Sequence, residues 1–110
     1  MKFNVNQQEF QQALSYCQGV IEKRSTLPIL SNILVEANKS SIQLTATDLD
    51  LIFIHQIENT EVLEEGKTTT TSSIIHDIVR KLPPGKKINL FLKDQNKLQL
   101  ESEKSIFNLN

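Results

Sequence analysis

The chain has little of what most chemical sites are made from. Its 110 residues contain one cysteine, two histidines, three glycines and no tryptophan. The single Cys17 forbids an internal disulfide. Its place in an apolar periodic stretch reads as a core thiol of a protein in a reducing compartment, not as a nucleophile. His55 and His76 lie in different segments, and with one cysteine to share between them no zinc-ligand spacing is recognisable. Gly19, Gly66 and Gly85 are too far apart for a phosphate-cradling loop. No apolar run approaches the roughly 20 residues that cross a bilayer, and Met1-Lys2-Phe3-Asn4 lacks the charged and apolar regions of a signal peptide. A cytoplasmic protein without membrane contact is therefore expected. An excess of positive charge is also lacking: 12 Lys and Arg face 13 Asp and Glu, a net charge of −1. Non-specific phosphate binding comes from lysine and arginine displacing counterions, so any contact with nucleic acid has to be local and weak.

What is present is an ordinary soluble core. With 38% hydrophobic residues, a chain of this length folds as one domain that buries roughly two-thirds of its unfolded surface. Phe3 and Val5 alternate with polar neighbours as a short strand. Phe10, Ala13, Leu14, Cys17 and Ile21 then follow helical spacing, with Asn6 as N-cap and Gly19 near the end. Residues 30–37 form an apolar run. The turn-forming Asn38-Lys39-Ser40-Ser41 leads into Ile42, Leu44 and Ala46, which alternate as a hairpin partner. Residues 51–57 read as a further strand buried on both faces or lying at a subunit edge. Residues 58–66 read as an acidic loop, with Glu58, Glu61, Glu64 and Glu65 on a solvated face.

The second half repeats the plan. A threonine-rich strand covers 67–71, and a helix covers about 72–82 with Ile75, Ile78, Val79 and Leu82 on one face. Ser72 or Ser73 is available as its cap, Asp77 and Lys81 sit one turn apart, and Pro83-Pro84-Gly85 stops it. Strands follow at 88–93 and 97–101, joined by Asp94-Gln95-Asn96, and the last strand covers 105–110. A β-α-β-β-β unit used twice predicts an α+β fold with both helices on one side of a strongly antiparallel sheet. Each helix of about 11 residues would extend roughly 16 Å.

Few residues are candidates for chemistry. Asp48 and Asp50, two apart on extended chain, fit either a turn with a solvated neighbour or an acid–base or magnesium pair. Gln7, Gln8, Gln11, Gln12, Ser15 and Gln18 form an amide-rich outward face on the first helix. That face is either ordinary wet surface or a soft contact for phosphates, direct or through water. Positive charge gathers at Lys23-Arg24 and at Arg80, Lys81, Lys86 and Lys87. For Arg80 and Lys81, complementing a helix dipole is an alternative to ligand contact. Phe107 and Leu109 share one face of the last strand, at an edge open to pairing with another chain.

Two motifs add a resemblance. Arg24-Ser25-Thr26-Leu27-Pro28-Ile29-Leu30-Ser31-Asn32-Ile33-Leu34, followed by Leu44-Thr45-Ala46-Thr47-Asp48-Leu49-Asp50, resembles in order and spacing the first domain of the bacterial sliding clamps, the beta subunits of DNA polymerase III. The opening Met1-Lys2-Phe3 does so as well. One extra residue near positions 94–97 departs from the commonest pattern.

The resemblance covers the whole chain and implies the first of three domains, 1–110, of a non-catalytic processivity factor in DNA replication. Two such subunits close head to tail into a homodimer ring around duplex DNA, with helices lining the hole. It implies no cofactor, no metal and no catalytic residue, and it makes Asp48 and Asp50 a structural signature. For sequence-independent DNA contact it points to Arg24, then Arg80 and Lys23, with Gln11 and Gln18 on the amide face. Leu27, Pro28, Ile29 and Leu30 would hold the arginine loop. Phe107, Leu109, Ile74 and Ile78 would meet the other subunit, although buried core is an equal or better reading of Ile78. The polymerase III alpha subunit and the clamp loader would bind through parts of the family outside these residues. The alternative is a truncated clamp-like domain that pairs through its open edge and encircles nothing.

Overall fold

A computed structural model describes residues 1–22, 31–47, 50–94, 97–103 and 105–109. The elements run β1 (Lys2–Asn6), α1 (Gln7–Glu22), β2 (Asn32–Asn38), β3 (Ser41–Thr47), β4 (Ile52–Ile57), β5 (Glu61–Glu64), β6 (Gly66–Thr71), α2 (Ser72–Arg80), β7 (Lys87–Lys93), β8 (Lys97–Ser102) and β9 (Ser105–Leu109). The duplicated unit and the α+β class expected from periodicity are both found. The strands divide between two antiparallel sheets, ordered β4-β3-β2-β6 and β5-β1-β7-β8-β9. Each repeat contributes a three-strand meander to its own sheet and lends its first strand to the other. Thus β1 lies beside β7, and β6 lies beside β2. Periodicity assigns a face to each residue but not a neighbour to each strand, so it does not reveal this exchange.

The core follows the alternation. Val35 faces Leu44 and Ala37 faces Ile42 across β2 and β3, while Leu90 faces Leu100 across β7 and β8. β1 brings Phe3 opposite Leu90 and Val5 opposite Ile88. All these residues are buried, as are Phe10, Ala13, Leu14, Cys17 and Ile21 of α1 and Ile75 and Val79 of α2. Each fully buried aliphatic or aromatic side chain contributes about 1.5–3 kcal/mol relative to exposure. Phe3 and Phe10 meet edge to face at 6.3 Å between ring centroids, joining the first strand to the first helix.

Helix lengths differ from expectation. α1 has 16 residues and α2 has 9. Gly19 lies in the last turn of α1, near its end as expected, and Ile21 continues the buried stripe beyond it. Asn6 caps α1 as its side chain predicts: Oδ1 accepts from the backbone N–H groups of Gln8 at 2.9 Å and Glu9 at 3.2 Å. Neither Ser72 nor Ser73 caps α2. Thr71 occupies the cap position and makes no side-chain cap bond. Thr71 is still in the β6 ladder opposite Asn32, and its hydroxyl donates to Asn32 Oδ1 at 3.4 Å. After Pro83 and Pro84, Gly85 takes φ +80°, a left-handed conformation that turns the chain away from the helix.

The acidic segment is not simply a loop. Residues Glu61–Glu64 form β5 on the outer edge of the five-stranded sheet, with Phe3 opposite Val62. Asn4 Nδ2 donates to Glu61 Oε1. A run of carboxylates conceals the one half-buried valine that makes this a strand, and those charges discourage further pairing at the edge. β4 is an edge strand of its sheet and is not buried on both faces as one reading of residues 51–57 expected. Ile52 and Ile54 are exposed on it, while Phe53 and His55 turn toward Tyr16 of α1.

Burial raises the Cys17 thiol from 9.0 to about 11, as expected where the charged form loses its hydration. The thiol therefore stays neutral in the fold. It is expected to resist aromatic disulfide reagents at pH 8 and to react stoichiometrically once urea unfolds the chain. Because the folded-state value is raised, this group favours the fold below pH 9 and withdraws that contribution as pH climbs toward 11. Leu14→Ala, at a site with 0% exposure, is expected to lower stability by about 2–5 kcal/mol, read as a fall in the urea midpoint at unchanged m-value.

Candidate nucleic-acid interface

α1 and α2 lie against each other, and α1 also crosses β3 and β4. Gln7 fixes the helix pair from within. Sequence spacing places it on the outward amide face, but it is only 1% exposed. Its Nε2 donates to the Val79 backbone carbonyl at 2.7 Å and to Gln11 Oε1 at 2.9 Å. The face is thus divided. Gln7 has turned inward to satisfy a carbonyl of α2, Gln11 is half-buried beside it, and Gln8, Gln12 and Ser15 remain exposed. The physical reason is that a second helix covers this side of the first, which a single helical period does not reveal.

Farther along α1, Gln18 reaches α2 by accepting from the Ser72 hydroxyl at 2.7 Å. Beyond it the helices part into a shallow polar groove of about 470 Å³. Ser15, Gln18 and Gly19 line one side, and Ser73, His76, Asp77 and Arg80 line the other. Arg80 Nε donates to Asp77 Oδ1 at 3.1 Å, with both side chains about half exposed. The expected partner of Asp77, Lys81, is displaced in this role by the residue one position earlier. Gln18 and Arg80 are therefore brought together across one groove, and Gln11 stands nearer the opposite end, bonded to Gln7. Lys23 and Arg24 lie outside the described residues, as do Leu27, Pro28, Ile29, Leu30 and Asp48.

The groove offers hydroxyl, amide, imidazole and guanidinium groups with little net charge. That set can hydrogen-bond phosphate oxygens, which carry no base information. His76, at the wall of the groove, was not singled out for contact by sequence reasoning; its place four residues before Arg80 is the available signal. His55 instead stacks on Phe53 at 6.3 Å and meets the edge of Tyr16 at 5.4 Å. Among the described residues, no group of three His, Cys, Asp or Glu side chains is arranged to hold a metal ion. None of the helices there is long and apolar enough to cross a membrane.

A second groove, of about 240 Å³, lies where α2 meets the ends of β6 and β9. Ile74 and Ile78 line it from the helix, with Leu109 and Asn108 opposite. Ile74 is 52% exposed and Ile78 half-buried, whereas Leu109 is almost covered. Phe107, half-buried opposite Leu100, packs on the core beside this group. β9 is the free edge of its sheet. On its other face Ile106 is 61% exposed, a feature hidden by the alternation that drew attention to Phe107 and Leu109.

Known proteins share this fold. The family model for the DNA polymerase III beta subunit, N-terminal domain, matches residues 1–110. The beta sliding clamp of Caulobacter vibrioides is 36% identical over 110 residues, covering 99% of this chain and 29% of that protein. That of Escherichia coli K12 is 33% identical, covering 100% and 30%. The crystal structure of the DNA polymerase III subunit beta from Pseudomonas aeruginosa superposes with a TM-score of 0.90 at 30% identity, over 99% of this chain and 29% of that one. The chain thus spans about 30% of the length of its relatives. A match at every position, with the exchanged-strand fold shared at about one-third identity, makes the chain a member of the DNA polymerase III beta subunit N-terminal domain family.

Proposed function

We propose that this chain is the first of three domains of a DNA-encircling processivity factor, and that its α1–α2 face looks toward the duplex. The observation that carries this reading is the polar groove between the helices, with Gln18 and Arg80 on opposite walls, on a family member of net charge −1. A protein held by electrostatic attraction would need a strongly basic face. A ring held by topology needs only a face that phosphates tolerate. Arg24 and Lys23 add positive charge in the segment after α1, and Gln11 extends the amide surface. The chain performs no catalysis and uses no cofactor. It acts in the cytoplasm, where the rest of the ring receives the polymerase III alpha subunit and the clamp loader.

Ring closure uses the second groove. Ile74 and Ile78 supply its exposed apolar wall, Leu109 its floor, and β9 a free edge with Phe107 behind it. Exposed apolar side chains beside an unpaired strand suit a head-to-tail contact with another copy, where both the edge hydrogen bonds and the apolar area become buried.

The first test is the intact mass of the native protein. A value near three times this domain, together with retention on nicked circular duplex and loss from the same DNA once linearised, is the expected result. A mass matching 110 residues would overturn encirclement by two three-domain subunits and leave edge pairing as the function. In the assembled protein, Arg24→Ala is expected to weaken loading onto nicked circles and to hasten escape once they are linearised, equally for unrelated DNA sequences, and unchanged loading and escape would remove Arg24 from the contact. Ile74→Glu is expected to weaken subunit association about tenfold or more in sedimentation analysis, with an unchanged circular dichroism spectrum.

A further inference from the structure

Charge along the helix pair is unevenly distributed. α1 carries Glu9 and Glu22 and no lysine or arginine, and α2 carries Asp77 and Arg80. Arg80 is thus the one Lys or Arg within either helix, and it is tied to Asp77 through Nε at 3.1 Å. The two lie on the same wall of the groove between the helices. We propose that Asp77 moderates the DNA contact by competing with phosphate for Arg80, so that the helix face holds the duplex weakly enough to slide. This rests on the reading of the α1–α2 face as the one that meets DNA.

The argument is geometric and electrostatic. Arginine binds phosphate most strongly by presenting two parallel N–H donors to two oxygens. With Nε engaged by Asp77, one donor of the side-on fork is already committed. The carboxylate also places a negative charge beside the guanidinium, so an approaching phosphate meets nearly neutral ground. The pair is about half exposed on both sides, and exposed ion pairs are easily exchanged in water. Asp77 therefore does not lock Arg80 away. It sets a threshold that a phosphate has to exceed at each step along the duplex. Gln18, Ser15 and Ser73 around the pair add hydrogen-bonding groups without charge and His76 adds an imidazole, while Asp77 and Arg80 are the one carboxylate and the one guanidinium among the described residues that line the groove.

The native-length protein, loaded on nicked circular duplex DNA that is then linearised, provides the test, with retention against sliding off the free ends followed over a salt series. Asp77→Asn removes the charge and keeps an acceptor, and Asp77→Ala removes both. Each is expected to lengthen retention about two- to fivefold, the scale of an exposed ion pair, and to steepen the dependence of log retention on log salt by about one for the released arginine. The gain is expected to vanish in the Arg80→Ala background, because the effect passes through that side chain. Glu9→Gln, which removes one charge elsewhere on the helix layer, is expected to leave the slope unchanged. A gain that persists without Arg80, or that Glu9→Gln reproduces, would overturn the proposal by making Asp77 a general repulsive charge. Wild-type retention with no change in either Asp77 variant would also overturn it. Failure of the wild type to be retained on circles at all would instead remove the encircling function on which the proposal rests.

Discussion

The seating of β1 between β5 and β7 is the constraint on which the rest of the domain depends. Phe3 pairs across to Leu90 on one side and Val62 on the other, and its ring meets Phe10 of α1. The N-terminal strand is thereby built into the sheet of the second repeat, while β6 is built into that of the first. Neither repeat has a complete sheet without the other. The backbone at the strand–helix junction is held as well: the Gln7 N–H donates to the Lys86 carbonyl at 2.9 Å, and Met1 accepts from Leu92 at the same distance. Contacts so distant in sequence make the fold cooperative, because ordering one half requires the other.

The exchange also positions the helices. Each helix is the bridge by which the chain passes from one sheet to the other, so α1 and α2 come to lie side by side. Their shared seam is closed by Gln7 at one end, through Val79, and by Gln18 at the other, through Ser72. Both bonds use polar side chains on the layer proposed to meet DNA. A seam built from amides and hydroxyls keeps that layer hydrophilic and nearly neutral while fixing the helix spacing. An apolar seam would have had to be hidden. The weak charge of the helix face is consistent with a mechanism in which closure around the duplex, not attraction, maintains contact.

The sheet edges tell a complementary story. β5 exposes Leu63 but flanks it with the charges of Glu61 and Glu64, which discourage pairing at that edge. β4 and β9 carry exposed Ile52, Ile54 and Ile106 and have no comparable protection. The relatives are more than three times as long as this chain. Apolar edges of this kind are open to pairing with another strand. The groove formed by Ile74, Ile78 and Leu109 lies at one of these edges and not at the charged one.

The residue pattern by itself determined which apolar side chains are buried in the elements of clear periodicity. Phe10, Ala13, Leu14, Cys17 and Ile21 declare one face of α1, and Leu44 and Leu100 one face of their strands, because periods of 3.6 and 2 are local properties. The two motifs around Pro28 and Asp48 were sufficient to indicate the family, since they are sequence features whatever the surrounding geometry. Tertiary structure decided the rest. It turned Gln7 inward, made Thr71 and not Ser72 the first-turn boundary of α2, drew β5 out of an acidic segment, and paired Asp77 with Arg80. Each outcome depended on an element distant in sequence: a helix covering a helix, a strand holding Thr71, a first strand offering Val62 a partner, and a groove formed by two helices. Local periodicity reports which face of an element is apolar, but it contains nothing about what will be packed against that face.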